Sequence, residues 1–413
     1  MDGMLRAHGS VGVHDPISAC ALVMSNSGDL AEACAIVSAD VCRLSEPMTQ
    51  AVRHRVAAEV GIPTERIIVA AKHIHSGPST IGEGEVERAY GCALQDKLVQ
   101  VVAEAASALV PVRVASASGS EGTICEYRRL LHRDGQVVMN WEPYDPEDIV
   151  GPLGEVDPEV GVLKVVDLSG RPVCLLFNHA GHPNVLSGDS YLISAEYPGH
   201  AEQLLEAQFG GLAIFVNGAQ GTMDIDGHGP RDWAEMERLG RKLASAVAET
   251  ARTIEPLEGL RVRCASVRYD LPARQIPDEQ LAWAEEIIRQ TGGKVQPLAD
   301  GVGDDHKALL YRQFHAVQNR SIPAEQVCIA IDDTALISFP GELYTEIGMH
   351  IKAHSPFTRT YIIGLANGYV GYVPTRKAIG EGGYAEDVRR VDASAEDLVV
   401  VQSLALLHRL HRS

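Results

Sequence analysis

"RIIVAAKHIHSGP", residues 66–78, runs from a block of branched and small apolar side chains straight into two histidines and a Ser-Gly-Pro turn. Ile67 to Ala71 read as a buried strand, because an unbroken short apolar run bounded by charge and turn residues has that pattern. Residues two apart on an extended backbone point the same way, so His73 and His75 are expected to look into one space just beyond the strand. Imidazoles so placed serve metal ligation or acid–base chemistry, or form a hydrogen-bonded strand end and nothing more. This stretch alone leaves those readings open.

Working outward, strand-like and helix-like segments alternate. "CALVMS" and "ACAIVSAD" precede the quoted run, and "SEPMTQAVRHRVAAEVG" between them reads as a helix with Ser45 as N-cap and Pro47 just inside. A long amphipathic helix is expected over about 85–109, then strands at "VPVRVASAS", "GVLKVVDLS", "PVCLLFN" and "GLAIFVNG", with helices near 195–209 and 232–254. Beyond residue 256 come a half-exposed strand, helices over 278–292 and 304–320, and a hairpin of "QVCIAI" with "TALISF". A helix over 342–354, the strand "TYIIGLA" and a helix over 394–411 follow. The rhythm predicts an α/β fold, a mixed β-sheet core flanked by helices. With no repeat or long linker, residues 1–413 are expected to form one integrated catalytic domain, elaborated by helices and a hairpin at about 256–330.

Hydrophobic residues make up 45% and charged residues 22% of the 413, the balance of a folded chain. A net charge of −19 argues against nucleic acid and against anionic membrane surfaces, both of which select clustered positive charge. Eight scattered cysteines without a CxxC pair read as reduced core residues of a cytoplasmic protein. Neither a secretion signal nor an apolar run of about 18 residues is visible, so no membrane anchor is expected. Assembly into a homo-oligomer is left open.

Several apolar strands end in chemically able residues: "RIIVAA" at His73, "PVCLLFN" at His179, "ALISFPG" at Glu342, and "YIIGLANG" at Tyr369 and Tyr372. Sites in α/β sheets form outside the carboxyl ends of strands, so these residues are candidates to converge. Two histidines and a carboxylate are a common catalytic zinc set. Against this, a glutamate after Pro-Gly is also what the first turn of a helix selects. His182 reads as a turn histidine ahead of Pro183, with metal ligation or substrate contact as the other reading. Asp40 fits either a partner orienting His73 or a plain strand-end cap.

Six motifs carry a resemblance: "HIHSGP" (73–78), "FNHAGHP" (177–183), "LISAEYPGHA" (192–201), "FVNGAQGTMD" (215–224), "FPGELYTEIG" (339–348) and "NGYVGYVPTRKAIGEGGY" (367–384). In this order they resemble the neutral/alkaline ceramidase superfamily, zinc amidases with a mixed α/β catalytic domain. The resemblance implies a Zn2+ ion held by His73, His179, Glu342 and Tyr372. It implies His75 in a polar contact role, Tyr384 as a substrate-facing hydroxyl and Arg128 between the first two ligands, with Arg129 the alternative register. Ceramidases carry a serine where this sequence has Gly221, followed by Thr222, and an aspartate where it has Glu196.

A metal-activated water can supply what the missing serine would have supplied. The expected function is thus zinc-dependent hydrolysis of a linear amide, with His75 or Glu196 moving protons and Arg128 and Tyr384 stabilising the oxyanion. Ester or lactone hydrolysis, acyl transfer, and a metal-binding protein without hydrolytic activity are the alternatives. With no secretion signal and no trailing β-sandwich domain expected, the substrate is expected to be a small soluble amide and not ceramide.

Overall fold

The computed structural model describes residues 1–82 and 84–413. Three sheets carry the fold, each with one parallel strand pair. In the first, β1 (Ala19–Met24) is antiparallel to β2 (Cys34–Ala39), which is parallel to β3 (Ile67–Ala71). In the second, β4 (Val112–Ser120), β5 (Glu159–Asp167) and β6 (Pro172–His179) are antiparallel neighbours, and β6 is parallel to β7 (Leu212–Asn217). In the third, β8 (Val262–Pro272), β9 (Ser321–Ile331) and β10 (Thr334–Ser338) are antiparallel, and β10 is parallel to β11 (Arg359–Ile363).

Strand periodicity sorts the side chains between two kinds of core. Ile36, Ile68 and Ala70 of the first sheet meet Leu163, Leu176 and Val216 of the second and Ile329, Leu336 and Ile363 of the third in one shared interior. Residues one step along, Val37, Val69 and Ala71, face away from it and pack beneath α1 (Glu46–Glu59) and α2 (Glu85–Ser107). The second sheet is covered in the same way by α3 (Glu196–Phe209) and α4 (Trp233–Arg252). The third lies under α7 (Thr345–Ala353) and α8 (Ala395–His411), while α5 (Asp278–Thr291) and α6 (Asp304–Val317) form their own small core. Strands buried on both faces read as continuous apolar runs, which is why "RIIVAA" lacks alternation. Fully burying one such Ile or Leu is worth about 1.5–3 kcal/mol, so the shared interior ties the three sheets together.

The α/β class and most expected elements are present. Ser45 does cap α1, its Oγ accepting from the Met48 amide at 3.4 Å. One boundary differs. Glu342 does not open a helix: Glu342 and Leu343 pair in parallel with Tyr372 and Val373, and α7 begins only at Thr345. Among the described residues, no helix is long and apolar enough to cross a membrane.

The three parallel pairs end in register at Ala39/Ala71, His179/Asn217 and Ser338/Ile363. Their ends are stitched together: Ala71 N donates to Leu365 O, Gly364 N to Asn217 O, and Phe339 N to Ile363 O, at 3.1, 2.9 and 2.8 Å. The segments that continue past these ends therefore share one location.

Candidate metal centre

His73 lies two residues beyond β3 with φ +71°, the left-handed region that a non-glycine residue seldom adopts. Its backbone amide donates to Val41 O, and its Nδ1 sits 2.8 Å from Cys42 O. The rings of His73 and His75 do meet, edge-on with centroids 4.7 Å apart. They meet because the chain turns at His73, and the pleat expected from an extended backbone plays no part. Leu365 and Asn367, in the loop bearing Tyr369 and Tyr372, also have positive φ. Strain concentrated this way points to a working site.

His182 approaches from the turn after β6. Its Nδ1 lies 2.7 Å from Met223 O, which fixes the tautomer with Nδ1 as donor and leaves Nε2 a bare lone pair. His73 is set up likewise by Cys42 O. The two Nε2 atoms then stand 3.2 and 3.3 Å from Glu342 Oε2. Tyr372 Oη is 3.2 Å from His182 Nε2, and Tyr369 donates its hydroxyl proton to Glu342 Oε1 at 2.7 Å. His73, His182 and Glu342 are all buried, with candidate ligand atoms mutually within 4.8 Å. Burial would raise the Glu342 carboxyl, but positive charge at His73 and then His182 holds it well below the usual carboxylate range, a charge that a bound cation would supply where both imidazoles are neutral.

This donor set fits a cation. Two imidazole lone pairs and a carboxylate oxygen converge with no protein proton donor for Glu342 Oε2, an arrangement expensive to bury empty. Burial pushes the Tyr372 phenol well up, so its ionisation calls for positive charge, of which Arg128 supplies part at 5.0 Å from the ring.

His179, expected as a ligand, lies elsewhere. It follows Phe177 on the face of β6 turned toward α3 and α4, its Nδ1 is 3.2 Å from Glu159 O, and it does not join the cluster. The next three residues, Ala180 to His182, leave the strand, so His182 takes the place that the sequence reading gave to His179. The Gly-His-Pro turn was the signal: Gly181 and Pro183 mark where the strand pattern stops governing direction.

Arg128, not Arg129, faces the cluster. Its Nη1 is 3.5 Å from His182 Nε2 and 3.4 Å from Asp224 Oδ2, its guanidinium lies over the rings of Trp141, Tyr372 and Tyr384, and its Nε and Nη2 have no partner among the described residues. Arg129 points the other way, to Ala378 O, Glu381 and Gly382 O. Tyr384 begins the short helix Tyr384–Val388, its ring centroid 5.8 Å from that of Tyr372. His75 Nε2 is 3.3 Å from His73 Nε2 while its Nδ1 is unpaired, and burial then the neighbouring His73 push its pKa well down.

Two alternatives left open by the sequence are placed by the structure outside the cluster. Glu196 is buried, but Oε1 accepts from Ser76 Oγ at 2.8 Å and Leu186 N at 3.3 Å, so the carboxylate stands behind the His75 turn and outside the cluster. Burial pushes this carboxyl up to about 8. Asp40 does not orient His73: it faces Lys72 Nζ at 2.9 Å and Ser18 N at 2.6 Å, and Glu202 closes a buried ionic group on the same Lys72 at 2.6 Å. The side chain between Ala71 and His73 carries a charge that needs two carboxylates.

The serine slot is sterically closed. A Cβ on Gly221 would lie 2.6 Å from Leu343 O, and Gly221 N donates to that same carbonyl at 2.7 Å. Thr222 Oγ1 donates to Glu346 at 3.2 Å and accepts from Thr345 N at 3.1 Å, so it is committed to the Glu342 segment. The N-terminal segment roofs the centre: Asp2 pairs with Arg43 at 2.5 Å, and Gly3 lies so close to the His75 ring that a Cβ there would be 2.5 Å from Cγ.

A cavity of about 450 Å³ lies outside Tyr384 and Trp141, with Glu142, Asp300, Gly301 and Asp387 in its lining. A larger one, about 690 Å³, lies among Glu46, Arg268, Tyr269 and Arg390 and shares only Tyr369 with the centre. The smaller cavity is lined by Trp141 and Tyr384, two of the rings over which the Arg128 guanidinium lies.

No family model matches the chain. Solved structures do share its fold. The neutral ceramidase from Pseudomonas aeruginosa superposes with TM-score 0.65 at 19% identity, over 92% of this chain and 67% of that one. A ceramidase complexed with C2 superposes with TM-score 0.68 at 20% identity, over 92% and 68%. The chain has the fold of the neutral ceramidases.

Proposed function

We propose that this protein is a zinc-dependent hydrolase of a small amide, working without a protein nucleophile. The observation that carries the proposal is the convergence of the His73 and His182 Nε2 atoms on Glu342 Oε2, beside an arginine with two free nitrogens. His73, His182, Glu342 and Tyr372 would hold the ion, His182 replacing the His179 of the sequence reading. When bound, zinc acidifies water toward neutrality and polarises a carbonyl.

The chain's own groups account for the rest. Cys42 O and Met223 O fix both histidine tautomers, and Tyr369 fixes the rotation of Glu342. Arg128 Nε and Nη2, buried and unpaired, are placed to take the negative charge that develops on a carbonyl oxygen, with Tyr384 beside them. His75, with a free Nδ1, serves proton movement better than Glu196, whose carboxylate is turned to Ser76.

Ceramidase fold-mates and a closed serine slot support amide cleavage by water. The acidic residues lining the adjoining cavity, and the burial of the centre under residues 2–3, favour a small polar amide over a long-chain lipid. The test combines metal analysis of purified protein with turnover of short N-acyl amines and N-acyl amino acids against long-chain ceramide in detergent. Near-equimolar zinc and faster short-chain turnover are expected. Zinc-free active protein, or efficient ceramide cleavage, would overturn the reading.

A further inference from the structure

We propose that Asn217 is a positioning residue that sets the separation of His73 and His182, an inference resting on the reading of these histidines as metal ligands. Asn217 ends β7, is fully buried, and among the described residues its side chain hydrogen-bonds to backbone and to neither histidine ring. Its Nδ2 donates to Lys72 O at 3.0 Å and to Gly181 O at 2.8 Å, and its Oδ1 accepts from Gly181 N at 3.3 Å. Lys72 immediately precedes His73, and Gly181 immediately precedes His182. One carboxamide thus fastens the residue before each ligand, and both its hydrogens are used. Its backbone carbonyl accepts from Gly364 N at 2.9 Å, at the head of the loop carrying Tyr369 and Tyr372.

The two ligand segments come from different sheets, and neither is held in place by regular strand pairing. β3 stops at Ala71, and β6 stops at His179. Beyond those points the His73 and His182 backbones depend on local bonds: Asn217 joins the residues just before the two ligands, and His75 N, donating to Pro183 O at 2.9 Å, joins the residues just after them. Alanine would leave two buried carbonyls and an amide without those partners, and only the bond on the far side of the ligands would then hold their separation.

A neighbouring residue provides the control. Asn178 is also a buried strand-end asparagine whose Nδ2 bonds two carbonyls, Val216 O at 2.9 Å and Ile362 O at 2.8 Å. It joins the second sheet to the third and touches no ligand-bearing turn. Asn217→Ala, Asn217→Asp and Asn178→Ala should be compared with the parent protein for metal-free melting temperature, zinc affinity by chelator competition, and the visible spectrum of the cobalt form. Asn217→Asp keeps the shape and the acceptor but loses both donors. Asn217→Ser substitutes if Asn217→Ala does not fold.

Both asparagine-to-alanine variants should melt lower. Only the Asn217 variants should bind zinc about 10- to 100-fold more weakly, the usual cost of losing a group that orients ligands, and show an altered cobalt spectrum. Parent-like zinc affinity in the Asn217 variants, or an equal loss in Asn178→Ala, would overturn the proposal while leaving the metal centre standing. A parent protein that binds no zinc would instead overturn the metal centre itself, and the Asn217 role with it.

Discussion

His182 Nε2 stands 3.3 Å from Glu342 Oε2, whereas His179, three residues earlier, is bonded to Glu159 O on the far side of the strand. The two histidines should therefore separate cleanly by mutation. His182→Ala is expected to lose bound zinc and activity together. His179→Ala is expected to keep near-equimolar zinc and to show its effect, if any, in melting temperature. Metal analysis after dialysis against chelator decides, and the reverse pattern would restore His179 as the ligand.

Tyr369 offers a second handle on Glu342. Its hydroxyl is the donor to Oε1, so Tyr369→Phe removes one proton donor and changes little else in volume. Zinc affinity should fall about 10-fold, at the low end for lost partners of ligands. Chelator competition measures this; unchanged affinity would show that the Glu342–Leu343 pairing with Tyr372–Val373 suffices to orient the carboxylate.

The contrast between His73 and His182 shows what was legible in the sequence. An apolar run ending in His, or in Pro-Gly-Glu, marks a strand end because backbone geometry and burial are local, and His73 and Glu342 were readable as candidates for that reason, whereas Tyr372 was singled out as a ligand through the ceramidase resemblance. The end of an apolar run does not say how the chain continues through Ala180 and Gly181, so the reading stopped at His179, short of His182. The choice of Arg128 over Arg129 needed the direction of a short strand edge that no local pattern fixes. Lys72 shows the same limit from the other side: its partners Asp40 and Glu202 lie 32 and 130 residues away, and only the placing of β2 beside β3 and of α3 on the neighbouring second sheet brings them together.

Arg128 and Arg129 should respond in opposite ways. Arg128→Ala removes the guanidinium that reaches His182 and should lower kcat about 10²- to 10³-fold, as loss of one oxyanion donor does, with zinc content unchanged. Arg129→Ala frees Glu381 and the Gly382 carbonyl and should act mainly on stability. Comparable kcat losses in both variants would remove Arg128 from the oxyanion role.

The closed serine slot makes a prediction about labelled water. Single turnover in heavy-oxygen water should place label in the product acid with no acyl-protein detected by mass spectrometry. Gly221→Ser should not create a nucleophile, because its Cβ would fall 2.6 Å from Leu343 O and force that segment to shift. Overpacking of this kind costs about 1–3 kcal/mol, read as a lower melting temperature. A trapped acyl group on Thr222 would refute the mechanism outright.

Glu196 gives a pH dependence whose sign follows from its burial. Its carboxyl is pushed up to about 8 in the folded protein, against about 4.3 for an unperturbed glutamate in the unfolded chain. Below about 4.3 both states are protonated and the group contributes nothing that varies with pH. Between there and about 8 the folded protein holds a proton that the unfolded chain has released, so stability falls as pH rises, levelling off above the folded value. Other buried carboxyls add slopes of their own, among them Glu202, pushed up to about 7. The informative quantity is therefore the difference between the parent and Glu196→Gln. Glutamine mimics the protonated acid: its oxygen can still accept from Ser76 and Leu186, and its amide replaces the unpaired Oε2. Denaturant unfolding at pH 5 and pH 8 should show the variant gaining on the parent as pH rises. A constant difference across that range would mean that Glu196 is ionised in the folded protein at pH 5, and that Ser76 and Leu186 offset its burial.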